Sequence, residues 1–315
     1  MDNEVITVLG SAAPQELGLI DAHNHIWISP QEVPAKNAPI LNQESLINTE
    51  LIAYRNAGGG AQVDCQPGGA GRDGNQLRSL SESSGVIIIA CTGFHLREYY
   101  PEGIKIWDLN TEQAADYFLD EINLGLEETR DNPDPVFPGF IKIAVRETLE
   151  GSPQALMEAA ANASLQSGLL IEMHTERGAD IERFTQFFSN LNYPLQKLVI
   201  CHVDKRPDLG LHTELAQAGC LLEYDTFFRP KYHPEENLWP LIDGMVSSGY
   251  AGAIACATDL ADSTLWNNLG SGPGLVGFIE IIKKRLELIY SDPDMVIGML
   301  GGNIANRLLR TYKEI

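Results

Sequence analysis

Eight short apolar runs recur along this 315-residue chain, and that rhythm restricts the fold more than any other feature. They are LIDAHNH (19–25), AQVDCQP (61–67), VIIIACTG (86–93), GFIKIAV (139–145), LLIEMHT (169–175), LVICHVD (198–204), CLLEYDT (220–226) and AIACATD (253–259). Each is too short for an independent helix. Each is nearly continuous in apolar residues, as a strand buried on both faces must be. Between most of them lie stretches with apolar residues three and four apart, at 43–57, 112–128, 153–168, 180–191, 209–219 and 237–249. Several end near glycine, a usual helix stop. Alternating strand and helix predicts a parallel sheet. Eight such units in this length predict an α/β fold, a closed (β/α)8 TIM barrel forming a single domain over residues 1–315. No GxGxxG opens a helix after a first strand, which counts against dinucleotide binding.

Charge and cysteine content narrow the function classes. The chain has 22 Lys and Arg against 43 Asp and Glu, a formal charge of −21, and a polyanion would be repelled by it. No nucleic-acid partner is expected. Five cysteines in no CxxC pair read as reduced, buried thiols. The start, MDNEVITVLG, lacks a basic segment before an apolar one, and no run of 18 apolar residues exists. The expectation is a cytoplasmic protein without a membrane partner.

Four of the seven histidines stand at the C-terminal ends of predicted strands, the active-site end of a barrel. His23 and His25 are two apart in DAHNH, so both rings point to the same side of a strand. His174 ends the fifth run, His202 lies near the end of the sixth, and Asp259 ends the eighth, which closes beside the first. Neutral imidazole and carboxylate together suit Zn2+ and similar ions. Lys142 interrupts the fourth run. It reads either as a rim lysine paired with an acid such as Glu147 or Glu172, or as an amine that reacts with CO2 to give an anionic, bridging carbamate.

At these residues the chain resembles the phosphotriesterase-like family of the amidohydrolase superfamily. DAHNH matches the family's first-strand HxH, IKIAV carries the lysine that the family carboxylates, and ATDL carries the strand-eight aspartate. The spacings of 32 residues from Lys142 to His174 and 28 from His174 to His202 suit it as well. The resemblance implies that His23, His25 and Asp259 bind one divalent metal ion and His174 and His202 a second. Carboxylated Lys142 and a hydroxide would bridge them. Zn2+ is the first expectation for the metal, with Mn2+ and Co2+ also compatible. The hydroxide would attack a carbonyl or phosphoryl centre, with Asp259 moving the proton. Asp204, in HVDKRPD, reads as a group that orients a ligand, or as a loop cap.

The segment LEYDTFFRPKYHPEENLWPLIDGMVSSGY is similar to a branch of the family associated with sugar lactones. Arg229, Lys231 and Tyr232 follow the seventh run and would supply two cations and a hydroxyl to a small-molecule substrate. That branch tends to carry an Arg and a Tyr after the strand-eight aspartate. This chain instead reads DLADSTLW, with Asp262 and Thr264 there, which counts against a phosphorylated substrate. Trp27 and Trp266 each read as a pocket wall or as packing beneath one. The expected activity is therefore a lactonase. Phosphotriester or amide hydrolysis on the same site is the alternative, and a non-catalytic metal-binding barrel is the alternative of another class. Apolar helices coating a barrel can pair subunits, so a homodimer is also expected.

Overall fold

The computed structural model describes residues 4–30 and 38–310. A hairpin of β1 (Val5–Thr7) and β2 (Gly10–Ala12) comes first and has no counterpart among the predicted runs. The barrel follows in β3 (Leu19–Asn24), β4 (Gly59–Asp64), β5 (Ile87–Ile89), β6 (Cys91–Gly93), β7 (Phe140–Ala144), β8 (Ile171–His174), β9 (Leu198–Ile200), β10 (Leu221–Tyr224) and β11 (Ile254–Cys256). β5 and β6 are one barrel strand interrupted at Ala90, whose carbonyl accepts a hydrogen bond from the Gly139 N–H at 2.8 Å. Neighbours pair in parallel in chain order, β3-β4-β5 and β6 through β11. The Asp259 N–H donates to the His23 carbonyl at 2.9 Å and ties the last strand's end to the first. The fold is thus the (β/α)8 barrel that the eight runs imply.

Helices α1 (Glu44–Asn56), α2 (Gly74–Ser84), α3 (Thr111–Leu124), α4 (Gln154–Ser167), α5 (Ile181–Asn190), α6 (Leu209–Ala218) and α7 (Leu238–Ser247) alternate with the strands. The polar composition of α2 hides its periodicity. It forms because the Asp73 side chain accepts from the Asn75 and Gln76 N–H groups and Gly85 ends it in the left-handed region. Helix α3 stops four residues short of the predicted end because Gly125 breaks it, and the Leu126 N–H turns to the Val136 carbonyl. After β11 come a π-helical turn (Phe278–Lys283), α8 (Lys284–Ile289), α9 (Pro293–Ile297) and α10 (Asn303–Leu308), which the apolar spacing did not reveal. Among the described residues no helix is long and apolar enough to cross a membrane.

The strands' double burial creates two cores. Ile141, Ile143, Ile171, Met173, Ile200 and Leu222 pack outward with the helices. Ile89, Phe140, Leu170, Val199, Leu221 and Ala255 pack with one another in the second core, which Val5, Leu17 and Ile304 join from the hairpin, its exit and α10. Alternation along each strand then turns the next inward residues, Lys142, Glu172, Cys201 and Glu223, toward the opposite end.

Candidate metal centre

The candidate ligands singled out from the sequence, His23, His25, His174, His202 and Asp259, meet where the strands end. Asn24, between the two histidines, explains how the first strand is held. Its Oδ1 accepts from the His25 and Leu260 N–H groups at 2.9 and 3.1 Å, and its Nδ2 donates toward Asp21, Gln62 and Thr258. One amide thus joins the first, second and eighth strands. His202 and Asp259, just past their strands, hold φ values of 61° and 47°. Non-glycine residues adopt that region at a cost, and such strain gathers at functional sites.

The donor atoms converge. His25 Nε2 and His23 Nε2 lie 3.7 and 3.9 Å from Asp259 Oδ1, and His202 Nε2 lies 2.9 Å from His174 Nδ1. Ring centroids of His23 and His202 are 4.8 Å apart. Each histidine's other nitrogen is held by an oxygen. His23 Nδ1 meets Glu223 and Glu172 at 3.2 Å each, and His25 Nδ1 meets Gln66 Oε1 at 2.7 Å. His174 Nε2 meets Glu176 at 3.1 Å, and His202 Nδ1 meets Asp225 at 2.6 Å. The Gln66 amide donates to the Ala70 carbonyl, so its oxygen faces His25. With cations bound, these partners would hold the ring proton on the far nitrogen and leave the near one to ligate, the arrangement a metal-ligating histidine needs. Without them the near nitrogens of His174 and His202 share one proton, and His23 keeps both of its own. Gln66, Glu176, Asp225 and Glu223 carried no signal in the sequence beyond lying near a predicted strand end.

Lys142 is fully buried, with Nζ 2.9 Å from Glu172 Oε1 and 3.4 Å from His23 Nε2. Its acid partner is thus Glu172, which sits opposite it in the strand register, and not the exposed Glu147. Cys65 Sγ donates to the same carboxylate at 2.8 Å, and Cys201 Sγ lies 3.6 Å from the ammonium. Burial opposes the Lys142 charge, but the surrounding Cys201, Cys65, Glu172 and Glu223 raise it well above an ordinary lysine. Burial and the Lys142 ammonium push His23 down, yet Glu223 and Glu172 win and raise it to about 10. Burial lowers His25 to about 3. All five cysteines are buried and free, as expected.

Asp259 has one neighbour that sets its charge. The Arg229 guanidinium donates to the Asp259 carbonyl and, at 2.7 Å, to Oδ2. Burial alone would raise this carboxyl, but Arg229, His202 and His23 hold it well below the usual range. Arg229, Asp259, His25, His174 and His202 line a cavity of about 190 Å3, whose other walls include Ile28, Ile40, Tyr99 and His95. Lys231 is exposed and Tyr232 half-buried, and neither lines that cavity. Lys231 instead stacks on the Tyr232 ring at 5.0 Å. His233 is an exposed loop residue. Asp204 Oδ2 accepts from the Asp225 and Thr226 N–H groups at 3.1 and 2.9 Å. It caps the turn that carries Asp225 and does not touch the histidines. Trp266 is fully buried with its indole N–H on the Leu260 carbonyl, and Trp27 is buried and donates to Ser29 Oγ, so both are packing residues and neither lines the cavity.

The donor set fits divalent cations. Imidazole lone pairs and a low-pKa carboxylate face one another within ligand reach. The buried oxygens Glu172 Oε2, Glu223 Oε1 and Asp225 Oδ1 have no hydrogen-bond partner. Buried carboxylate oxygens left without a donor suit a site that also takes cations.

Comparison with known proteins places the chain in a family. A profile of the Phosphotriesterase family matches residues 3–273. N-acetyltaurine hydrolase from Bos taurus is 27% identical over 305 residues, covering 82% of this chain and 85% of its own. The Homo sapiens protein of that name is 28% identical over 276 residues, covering 77% and 76%. The crystal structure of a lactonase from Listeria monocytogenes superposes with a TM-score of 0.88 at 24% identity, over 99% of this chain and 100% of that one. A phosphotriesterase homology protein from Escherichia coli gives 0.83 at 19%, over 93% and 99%. The two superpositions speak to the barrel alone. The match over residues 3–273 goes further: this chain belongs to the phosphotriesterase family, a family of binuclear metal hydrolases, and is a hydrolase.

Proposed function

We propose that the protein hydrolyses small lactones with two divalent metal ions, Zn2+ first among them. The observation that carries this reading is the convergence of five donors, four of them lining one cavity and His23 just behind it, with every far nitrogen held by an oxygen. His23, His25 and Asp259 would hold one ion, His174 and His202 the other, and a carbamate on Lys142 would be shared. Such ions supply Lewis acidity toward an acyl oxygen and a water acidic enough to attack at neutral pH.

The chain's own groups do the rest. Arg229 keeps Asp259 ionised and aimed with Oδ1 toward His23 and His25. Asp259 takes the proton from the attacking water and returns it to the departing alkoxide. The cavity is small and largely apolar at Ile28, Pro39, Ile40 and Ala261, which suits a compact acyl ring better than a bulky triester. Asp262, which would repel phosphate at the rim, folds back to cap Thr264 with Oδ1 2.9 Å from its N–H. Carboxylation would exchange the Lys142–Glu172 ion pair for two like charges. It therefore requires the cations, and the metal-free protein keeps the ammonium.

A second reading, hydrolysis of a small N-acyl amide, is favoured by the N-acetyltaurine hydrolases and by the Arg229 cation at the wall. The test is turnover of γ- and δ-lactones, N-acetyltaurine and a paraoxon-like triester, with metal content determined for wild type, Lys142→Ala and Asp259→Asn. Lactone turnover lost in both variants is expected. Turnover of N-acetyltaurine alone would replace the first reading with the second. Incubation with 13C-bicarbonate should give a carbamate resonance only in metal-loaded wild type.

A further inference from the structure

His95 belongs to the cavity wall, and nothing above gives it work. It follows β6 because Gly93, at φ 113°, lets the chain press against β7, where a Cβ would stand 1.8 Å from the Lys142 carbonyl. The Phe94 N–H then bonds that carbonyl at 2.9 Å and sends its ring into the core, leaving His95 at the mouth. The His95 backbone is fixed by donation to the Tyr100 hydroxyl at 2.9 Å. Its ring stands edge-on to Tyr99, with centroids 4.6 Å apart, and lies 5.1 Å from the His174 ring and 6.4 Å from that of His25.

One hydrogen bond decides its chemistry. The Leu96 N–H donates to His95 Nδ1 at 2.8 Å. A backbone N–H can only donate, so Nδ1 is the lone pair and the neutral ring carries its proton on Nε2. The pattern is the reverse of that at His25 and His202, whose Nδ1 atoms face an oxygen. A lone pair is what a metal requires and a proton is what it excludes, so His95 is set apart from its neighbours despite being among them.

We infer that His95 is a catalytic hydrogen-bond donor, offering Nε2–H to the substrate oxygen that gains negative charge when the acyl carbon is attacked. The third barrel strand carries it and the seventh carries Arg229, so the two donors approach the cavity from opposite walls. This rests on the cavity being the reaction site, not on a lactone being the substrate. No proton leaves His95. It stabilises charge by position, as a neutral donor whose orientation is set before the substrate arrives.

Two measurements test it independently. Long-range 1H–15N correlation on zinc-loaded protein labelled at the histidine nitrogens, with His95→Gln to assign the signal, should give a neutral Nε2–H ring at pH 7. An Nδ1–H or imidazolium pattern would overturn the inference whether or not any substrate is turned over. Kinetics on the lactones and N-acetyltaurine should then separate two variants with unchanged zinc content. His95→Gln, which keeps an N–H, should hold kcat within about tenfold, whereas His95→Phe should lower it about 100-fold or more with little change in KM. Equal kcat in both variants and wild type would sink the donor role. A wild type inactive on every lactone would remove the lactone reading and leave the resonance result to decide His95.

Discussion

The barrel's interior holds two layers built by the same strands and opposite in character. Two residues apart on the inward faces stand Phe140 and Lys142, Leu170 and Glu172, Val199 and Cys201, Leu221 and Glu223, and Ala257 and Asp259. The lower members pack as an apolar core, while the upper members are a lysine, three carboxyl groups and a thiol, all of them buried. The lower layer is stabilised by removal from water alone. The upper layer depends on its charges being compensated, because an uncompensated ion in that environment costs several kcal/mol. The candidate metal centre sits on the layer that is expensive to maintain, above the apolar one.

The sharpest way to break this contrast is Lys142→Ala. It removes the ammonium from Glu172 and leaves His23 alone to face two carboxyl groups, so a loss of about 3–5 kcal/mol in chemical denaturation is expected, together with loss of bound metal. Replacing both partners in Lys142→Met/Glu172→Leu should recover most of the stability and none of the activity. If the double variant is as unstable as the single, the charge pair is not what sets the cost. In the lower layer, Phe140→Ala should cost about 3 kcal/mol through the cavity it leaves. Equilibrium dialysis should find its zinc affinity within a few-fold of wild type, and a large drop would mean the layers are not separable.

Asp225→Asn probes a support of the upper layer. Its partner His202 keeps its place but loses the anion on Nδ1, so zinc affinity should fall about 10- to 100-fold. The smallest effect belongs to His212, a buried histidine outside both layers that accepts from the Tyr224 hydroxyl at 2.7 Å and donates to the Arg206 carbonyl at 2.9 Å. Burial lowers it to about 4 from an ordinary 6.5. The unfolded chain therefore binds the extra proton between those values, and stability falls as pH drops through that window. Between pH 7.5 and 5, wild type should lose about 1–2 kcal/mol more than His212→Gln in urea denaturation.

Much of this molecule was legible before its structure. The strand count, the barrel and the meeting of His23, His25, His174, His202 and Asp259 all follow from residues that must lie at strand ends. Helix α2 and the helices after β11 were not legible, because Ser and Asn blur the period in α2 and the C-terminal segment winds through π-helical turns. Arg229 reached the cavity, but its partner is Asp259, which no spacing announces across 30 residues. Lys231 lies over the ring of its neighbour Tyr232, a contact that no strand-end spacing announces.

The sequence by itself determined which residues could be ligands, since period-two strands aim alternate side chains to one side and chemistry limits which of them bind a cation. Only the tertiary structure decided what each nitrogen does. A ring's tautomer depends on the partner of its other nitrogen, and for His23 and His202 that partner arrives from a different strand. His95 makes the point most plainly. It shares a residue type with four of the candidate ligands and a wall with three of those histidines, and a single backbone N–H gives it a different chemistry.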